Sequence, residues 1–318
     1  MHRRDVIKLL AGAPCLMAAP AMAAGGSKQP PRWKTAVGLN GFASSSWKYK
    51  KTFPLWEVLD FASRQGFDGI ELTQNWPMGD YPPGEDAGRV AALKRLYDGF
   101  GLQVFALQAT ARDAFAPEEA ARKQWLEQFR SRAWLIHALG GSCIGLWPAG
   151  PLREQSVEEA IRRLGRSFRE AARLAADMGL ITAFEIEPPF VFHSEQHVRQ
   201  ILDAADDPLV KVIYDPSHFD WMNGSTGRPH EMLRRIGVDR IGYVQLTDSD
   251  GTLRDGGTTK HLACGDGHID IPASLGTLLE GGFNGWIMID AWEIPDPYDA
   301  CTKGKQAIDR ALTTARSA

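Results

Sequence analysis

Two segments decide how this chain reads: Gly179-Leu180-Ile181-Thr182-Ala183-Phe184-Glu185-Ile186-Glu187 and Val210-Lys211-Val212-Ile213-Tyr214-Asp215-Pro216-Ser217-His218. Each is an apolar, β-branched run that turns acidic only at its end. Between them, Ser194 to Ala205 has helical character, so the pair reads as strand, helix, strand, with a glycine ahead of the first strand. Parallel strands joined this way bury both faces. A carboxylate ending such a strand is costly unless it is paired or bound to a cation. Neighbouring strand ends bearing Glu, Asp and His can converge on one divalent ion.

The same rhythm extends outward. Strands are predicted at Ala36–Leu39, Gly69–Leu72, Gln103–Leu107, Ser142–Leu146, Ile181–Glu185, Val210–Tyr214, Ile241–Leu246 and Trp286–Ile289. Helices are predicted at Pro54–Arg64, Asp86–Phe100, Pro117–Ala138, Val157–Met178, Ser194–Ala205, His230–Ile236, Pro272–Glu280 and Lys305–Ala315. Val157, Ile161, Leu164, Phe168, Ala171, Ala175 and Met178 recur at three- and four-residue steps, the mark of a helix with one buried face. Gly66, Gly101, Gly179 and Gly282 stand where helices end in the left-handed conformation. Gly66-Phe67-Asp68-Gly69-Ile70-Glu71 and Gly282-Phe283-Asn284-Gly285-Trp286-Ile287 repeat one joint between helix and strand. Eight such units in one α/β domain predict a (β/α)8 TIM barrel over residues 34–318. An open doubly wound sheet is the alternative, but no G-x-G-x-x-G follows the first strand.

Residues 1–24 read as a cleaved export signal. Arg3-Arg4 and Lys8 precede an apolar stretch from Leu9 to Ala19, and Ala21-Met22-Ala23 offers a cleavage site. The paired arginines suggest the twin-arginine route, with an ordinary signal peptide as the alternative. The expected localisation is periplasmic or secreted, with residues 25–33 as a linker. The apolar stretch is too short to span a bilayer, so no stable membrane insertion is expected. The signal carries more base than acid, so the remainder is more acidic than the −3 of the whole chain. That balance gives no reason to expect a nucleic-acid partner. Beyond the signal, Cys143, Cys264 and Cys301 are widely spaced, with neither a zinc pattern nor a disulfide framework.

In order, the strand ends carry Glu71; Trp147; Glu185 and Glu187; Asp215 and His218; Gln245 and Asp248; and Asp290, Trp292 and Glu293. A long polar loop, Ser249 to Asp270, holds Arg254, Lys260 and His261. The order resembles the xylose isomerase-like sugar isomerase and epimerase barrels, which include ketose 3-epimerases, inosose dehydratases and endonuclease IV. The resemblance rests on G-x5-E ending at Glu185, D-x-x-H from Asp215 to His218, and Gly-Phe-x-Gly before Asp290.

The resemblance implies one divalent metal held by Glu, Asp, His and Glu on strands five to eight. Carried onto this chain, these positions are Glu185, Asp215, Gln245 and Asp290. Gln245 stands where the family has His and Asp290 where it has Glu. An amide oxygen for an imidazole makes the set all-oxygen, favouring Mn2+ or Mg2+, with Ca2+, Co2+ or Zn2+ as alternatives. Glu187 could replace Glu185, and Gln245 could be a core amide. The implied chemistry removes a proton beside a carbonyl through an enediolate, with Glu185 and Asp290 as the acid–base pair and His218 on the substrate oxygen. Glu187, His218, Arg254, His261, Trp147 and Trp292 are the expected substrate contacts. Solvation is the ordinary fate of loop residues such as Arg254 and His261, and His137, His193 and His197 are read as structural. Export favours a non-phosphorylated sugar or keto-sugar, and no phosphate cradle is evident. A lyase, dehydratase or hydrolase on keto-sugars or 3-keto-glycosides is the second reading, and a non-catalytic sugar-binding barrel the third. An acidic surface and few strand-end histidines argue against an endonuclease. Whether the chain forms a homo-oligomer is left open.

Overall fold

A computed structural model describes residues 33–73, 79 and 81–317. The expected export signal, and the linker except Trp33, lie outside the described residues.

The strands are β1 (Lys34–Gly38), β2 (Gly69–Leu72), β3 (Gln103–Thr110), β4 (Cys143–Trp147), β5 (Ile181–Phe184), β6 (Val210–Tyr214), β7 (Ile241–Leu246), β8 (Asp248–Leu253), β9 (Thr259–Leu262) and β10 (Trp286–Ile289). All but β8 and β9 close into a parallel barrel in the order β1-β10-β7-β6-β5-β4-β3-β2. Its β5 is shorter than predicted. Glu185 lies one residue past its end, yet its N–H still bonds Leu146 O at 2.9 Å. Around it run α1 (Leu39–Tyr49), α2 (Leu55–Arg64), α3 (Ala87–Asp98), α4 (Glu119–Ala138), α5 (Val157–Ala176), α6 (Glu195–Ala205), α7 (Pro216–Met222), α8 (Pro229–Ile236), α9 (Ile271–Glu280) and α10 (Pro297–Ser317).

The period read in α5 is the face that is buried: Ile161, Leu164, Phe168, Ala171 and Ala175 all pack inward. Ser156 and Glu159 close a reciprocal cap at its start. Gly66, Gly101, Gly179 and Gly282 have φ of 71°, 71°, 75° and 74°, the left-handed geometry expected of them.

Three elements depart from the sequence reading. Helix α1 starts directly after β1. Helix α7 grows from Pro216, whose fixed φ suits a first turn that Asp215 caps. The predicted long polar loop is an antiparallel hairpin, β8 with β9, crossing the C-terminal mouth. In addition, α10 begins eight residues before Lys305 because Asp296 accepts from the N–H groups of Tyr298 and Asp299 at 3.1 Å each.

Apolar side chains plug the lower barrel: Ala36, Phe105, Cys143, Ile213, Tyr243, Trp286 and Met288 are all buried there. Phe105 stacks on Trp286 at 4.5 Å between ring centroids. Above them the lining turns polar at Glu71, which accepts from Tyr243 Oη at 2.7 Å. The plug has no slack at Gly145, where a Cβ would lie 2.2 Å from Tyr243 Oη. Gly145→Ala is therefore expected to lower stability by about 1–3 kcal/mol, read as a lower urea midpoint. Adding Tyr243→Phe should recover part of that loss; an unchanged midpoint in the single variant would show that the plug yields freely.

Candidate metal centre

Three carboxylates sit one residue beyond three barrel strands: Glu185 after β5, Asp215 after β6 and Asp290 after β10. All are buried, at 3%, 0% and 4% exposure. In each, one oxygen is tied to the scaffold. Glu185 Oε2 accepts from Gln108 Nε2 on β3. Asp215 Oδ1 accepts from Ser217 N and Ser217 Oγ at 2.7 Å and from His218 N at 3.2 Å. Asp290 Oδ1 accepts from Asn40 Nδ2 and Trp292 N at 3.0 Å.

The other oxygens face two imidazoles. His218 Nε2 stands 3.5 Å from Glu185 Oε1 and 3.8 Å from Asp215 Oδ2. His261 Nε2 is 3.9 Å from Asp215 Oδ2, and its Nδ1 is 3.7 Å from Asp290 Oδ2. Glu185 Oε1, Asp215 Oδ2 and both nitrogens of His261 are buried with no hydrogen-bond partner. These separations are long for hydrogen bonds. Asp215, His218 and His261 form one group whose ligand atoms lie within 4.8 Å of one another, and Glu185, Glu187 and His218 form another, spacings that suit donors on an ion; His261 can offer an ion only one of its two nitrogens.

His218 is fixed from behind. Its Nδ1 lies 2.7 Å from Thr259 Oγ1, which lies 2.8 Å from Ser217 Oγ. Because Ser217 Oγ donates to Asp215, it accepts from Thr259, whose oxygen in turn accepts Nδ1–H of His218. The proton on Nδ1 thus leaves Nε2 turned toward the carboxylates.

Gln245 points into the barrel, fully buried. Its Nε2 donates to Glu71 Oε2 at 3.3 Å, and its Oε1 has no partner. The hairpin changes the reading of two other residues. His261 is no solvated loop side chain: on β9, Thr259 and His261 face inward while Lys260 faces out to Asp250 at 2.5 Å. It therefore stands beside the strand-end carboxylates and also lines the cavity, where it was expected as a substrate contact. Arg254, also expected to touch substrate, lines the outer cavity, where its guanidinium pairs with Glu293 and donates to Trp292 O at 2.5 Å.

Glu187, Trp147 and Trp292 line a cavity of about 190 Å³ above the cluster. This opens into an outer cavity of about 980 Å³ walled by Trp47, Phe190, Arg254 and Glu293.

Charge is unbalanced in this cluster. Burial, then Asp215 and Glu185, pushes Asp290 up to about 8. Burial also lifts Glu71 to about 8, against the hydrogen bond from Tyr243. Asp215 is raised by burial, with His218 opposing, and Glu187 well above its usual range by burial and then Glu185. Burial lowers His218, but Asp215 and Glu185 outweigh it and carry the ring up to about 10. His261 is held well below its usual value by burial, His218 and Arg254. One imidazolium cannot neutralise this many acids. A divalent cation fits the free oxygens, the nitrogens and the excess negative charge together.

Asn40, Gln108 and Thr259 are among the residues of the site that went unread in the sequence. Gln108 carried the most signal, as a polar residue interrupting the apolar run of β3.

Residues 59–313 match the family of xylose isomerase-like TIM barrels. An inosose dehydratase of Geobacillus kaustophilus is 26% identical over 215 residues, covering 59% of this chain and 68% of that protein. Among solved structures, the IOLI protein with a binding zinc atom superposes with a TM-score of 0.68 at 19% identity, over 89% of this chain and 98% of that one. An L-ribulose 3-epimerase gives 0.68 at 18% identity, over 90% and 96%. With the eight-stranded barrel and the acids at its strand ends, the match over most of the chain means that this protein belongs to the xylose isomerase-like TIM barrel family.

Proposed function

We propose that this protein is a divalent-metal-dependent isomerase or epimerase acting on a non-phosphorylated sugar or keto-sugar through an enediolate. The carrying observation is the convergence of free oxygens from Glu185, Asp215 and Asp290 on His218 and His261, beneath a cavity of about 190 Å³ suited to one sugar ring. Glu185, Asp215 and Asp290 would hold the ion together with imidazole nitrogen. The ion would supply Lewis-acid polarisation of a carbonyl and counter the negative charge that develops on it. An imidazole nitrogen in the donor set, in place of the all-oxygen set expected from Gln245, would bring Co2+ and Zn2+ level with Mn2+ and Mg2+.

The chain's own groups divide the remaining work. Glu185 and Asp290, anchored by Gln108 and Asn40, stand on different strands and can take and return a proton at two positions of the ring. His218, its Nδ1–H held by Thr259 and its Nε2 turned toward the cavity, can hold a substrate oxygen. Trp147 and Trp292 close the cavity against water and present ring faces to the sugar.

A second reading, lyase or hydrolase on keto-glycosides, is favoured by the outer cavity of about 980 Å³. A free monosaccharide leaves that space empty, whereas the aglycone of a glycoside would occupy it. Glu187 lies between the two cavities, and its raised pKa keeps a proton available for a leaving group.

The proposal includes export by the Arg3-Arg4 leader, so protein recovered from the periplasm should begin near Gly25. Recovery only from the cytoplasm with Met1 intact would exclude it.

The ion has a signature in stability. Asp290 and Glu71, pushed up to about 8, bind protons more tightly folded than unfolded. In ion-free protein their contribution is complete below about pH 4 and is lost as pH rises through about 8. Mn2+ or Co2+ at a hundred times its Kd should add about 2.7 kcal/mol at neutral pH. Asp215→Asn should abolish that gain while leaving the ion-free protein at least as stable; an unchanged gain would remove Asp215 from the site.

The reaction itself is read by incubating metal-loaded protein with keto-sugars and aryl keto-glycosides in D2O. Deuterium incorporation at constant product mass supports the isomerase, and loss of water or aglycone supports the second reading. Asp290→Asn should slow either by about 10²–10⁴. Neither exchange nor consumption, with binding retained, would leave a sugar-binding barrel.

A further inference from the structure

The family resemblance takes its imidazole ligand from the seventh barrel strand, where this chain has Gln245. That amide donates its Nε2–H to Glu71 at 3.3 Å and leaves Oε1 buried without a partner, so Gln245 is the competing donor that the test below must separate from His261. An imidazole nevertheless reaches the centre from outside the barrel. His261 is 4% exposed, with both nitrogens buried and unpartnered; Nε2 stands 3.9 Å from Asp215 Oδ2, in the group with His218, and is the nitrogen placed to ligate, while Nδ1 stands 3.7 Å from Asp290 Oδ2. Burying polar atoms this way without a partner destabilises a fold, so the arrangement needs a ligand to offset it.

The hairpin is built to hold that ring still. At its base, Asp248 Oδ1 accepts from Ser249 N at 2.8 Å and Ile269 N at 3.0 Å, while Oδ2 accepts from Gly265 N at 2.9 Å and Gly267 N at 3.1 Å. Gly267 is required there, since a Cβ would meet Asp248 Oδ1 at 2.3 Å. Toward its tip, Arg254 grips Glu293 and the carbonyl of Trp292, two residues from Asp290. Between these anchors, the inward face of β9 presents Thr259 to His218 and His261 to the carboxylates.

We propose that His261 is the imidazole ligand of the divalent metal in place of the strand-seven histidine, so that the hairpin β8–β9 belongs to the metal centre and is ordered by the ion. This rests on the metal-site reading above and is independent of which sugar reaction follows. In the family pattern the ligands ride on barrel strands five to eight. Here one ligand lies on a hairpin outside the barrel, which couples metal occupancy to closure of the mouth.

Calorimetric titration of Co2+ into the metal-stripped full chain tests this, alongside hydrogen exchange over residues 248–262. His261→Ala should weaken Co2+ by about 10²-fold or more, while Gln245→Ala should cost less than about 10-fold. In the wild type, Co2+ should slow exchange in the hairpin; in His261→Ala, exchange should stay at the metal-free rate. Co2+ binding by His261→Ala at wild-type affinity would overturn the proposal while leaving the metal site intact. A wild-type hairpin indifferent to Co2+ would overturn it without recourse to any variant. If the wild type binds neither Co2+, Zn2+ nor Mn2+, the metal reading falls and this inference with it.

Discussion

Several carboxylates taken out of water at one barrel mouth repel each other, and the structure is arranged around that repulsion. Each acid loses hydration, and among the described residues no arginine or lysine pairs with it to restore the loss. The cations of the mouth lie farther out, where Lys48 and Arg254 both serve Glu293. The one strongly basic group inside is His218, a single charge against Glu185, Glu187, Asp215 and Asp290. Raised pKa values are how such a cluster survives without an ion. A divalent cation removes the need for them, which links its binding to the protonation state of the whole cluster.

Repulsion alone would scatter these side chains, so the scaffold holds each by one oxygen and leaves the other free. The holders come from other parts of the chain: Gln108 from β3 for Glu185, Asn40 from the start of α1 for Asp290, and Ser217 with the first turn of α7 for Asp215. This division explains two otherwise odd elements. Helix α7 is only seven residues long, but its first turn donates to Asp215. Helix α1 begins at once after β1, which puts Asn40 against Asp290. The rigidity needed to aim charged groups comes from neutral amides and hydroxyls, which add no charge to the crowd.

The barrel was legible because its determinants are local: apolar runs of strand length, a helical period in α5, and glycines where helices must reverse. The strand-end acids were legible for the same reason, as each breaks an apolar run. Helix α1 was not, because Asn40-Gly41-Phe42-Ala43-Ser44-Ser45-Ser46 is poor in helix formers. Tertiary packing imposes it: Gly41 lies so close to Ala291 that a Cβ would stand 2.7 Å from that side chain. The hairpin was hidden by an inverted pattern. Strand recognition expects an apolar inward face, but the inward residues of β9 are Thr259 and His261, since that face looks onto a polar site rather than a core. A polar segment that alternates in burial is indistinguishable, by composition, from a solvated loop.

The same inversion bears on Gln245. From the sequence, a glutamine in the family's histidine position implies a harder, oxygen-only ion site. The proposed role of His261 would change that conclusion, because ligand chemistry follows from what converges and not from which strand supplies it. Gln245 pairs downward with Glu71, itself held by Tyr243, so the seventh strand contributes to the polar floor of the cavity. His261 then brings imidazole nitrogen in from above, on the hairpin rather than on a barrel strand. A histidine on β7 would be as fixed as the barrel. One on a hairpin spanning the mouth ties the strength of the centre to the position of its cover, a dependence that no pattern along the strands alone could encode.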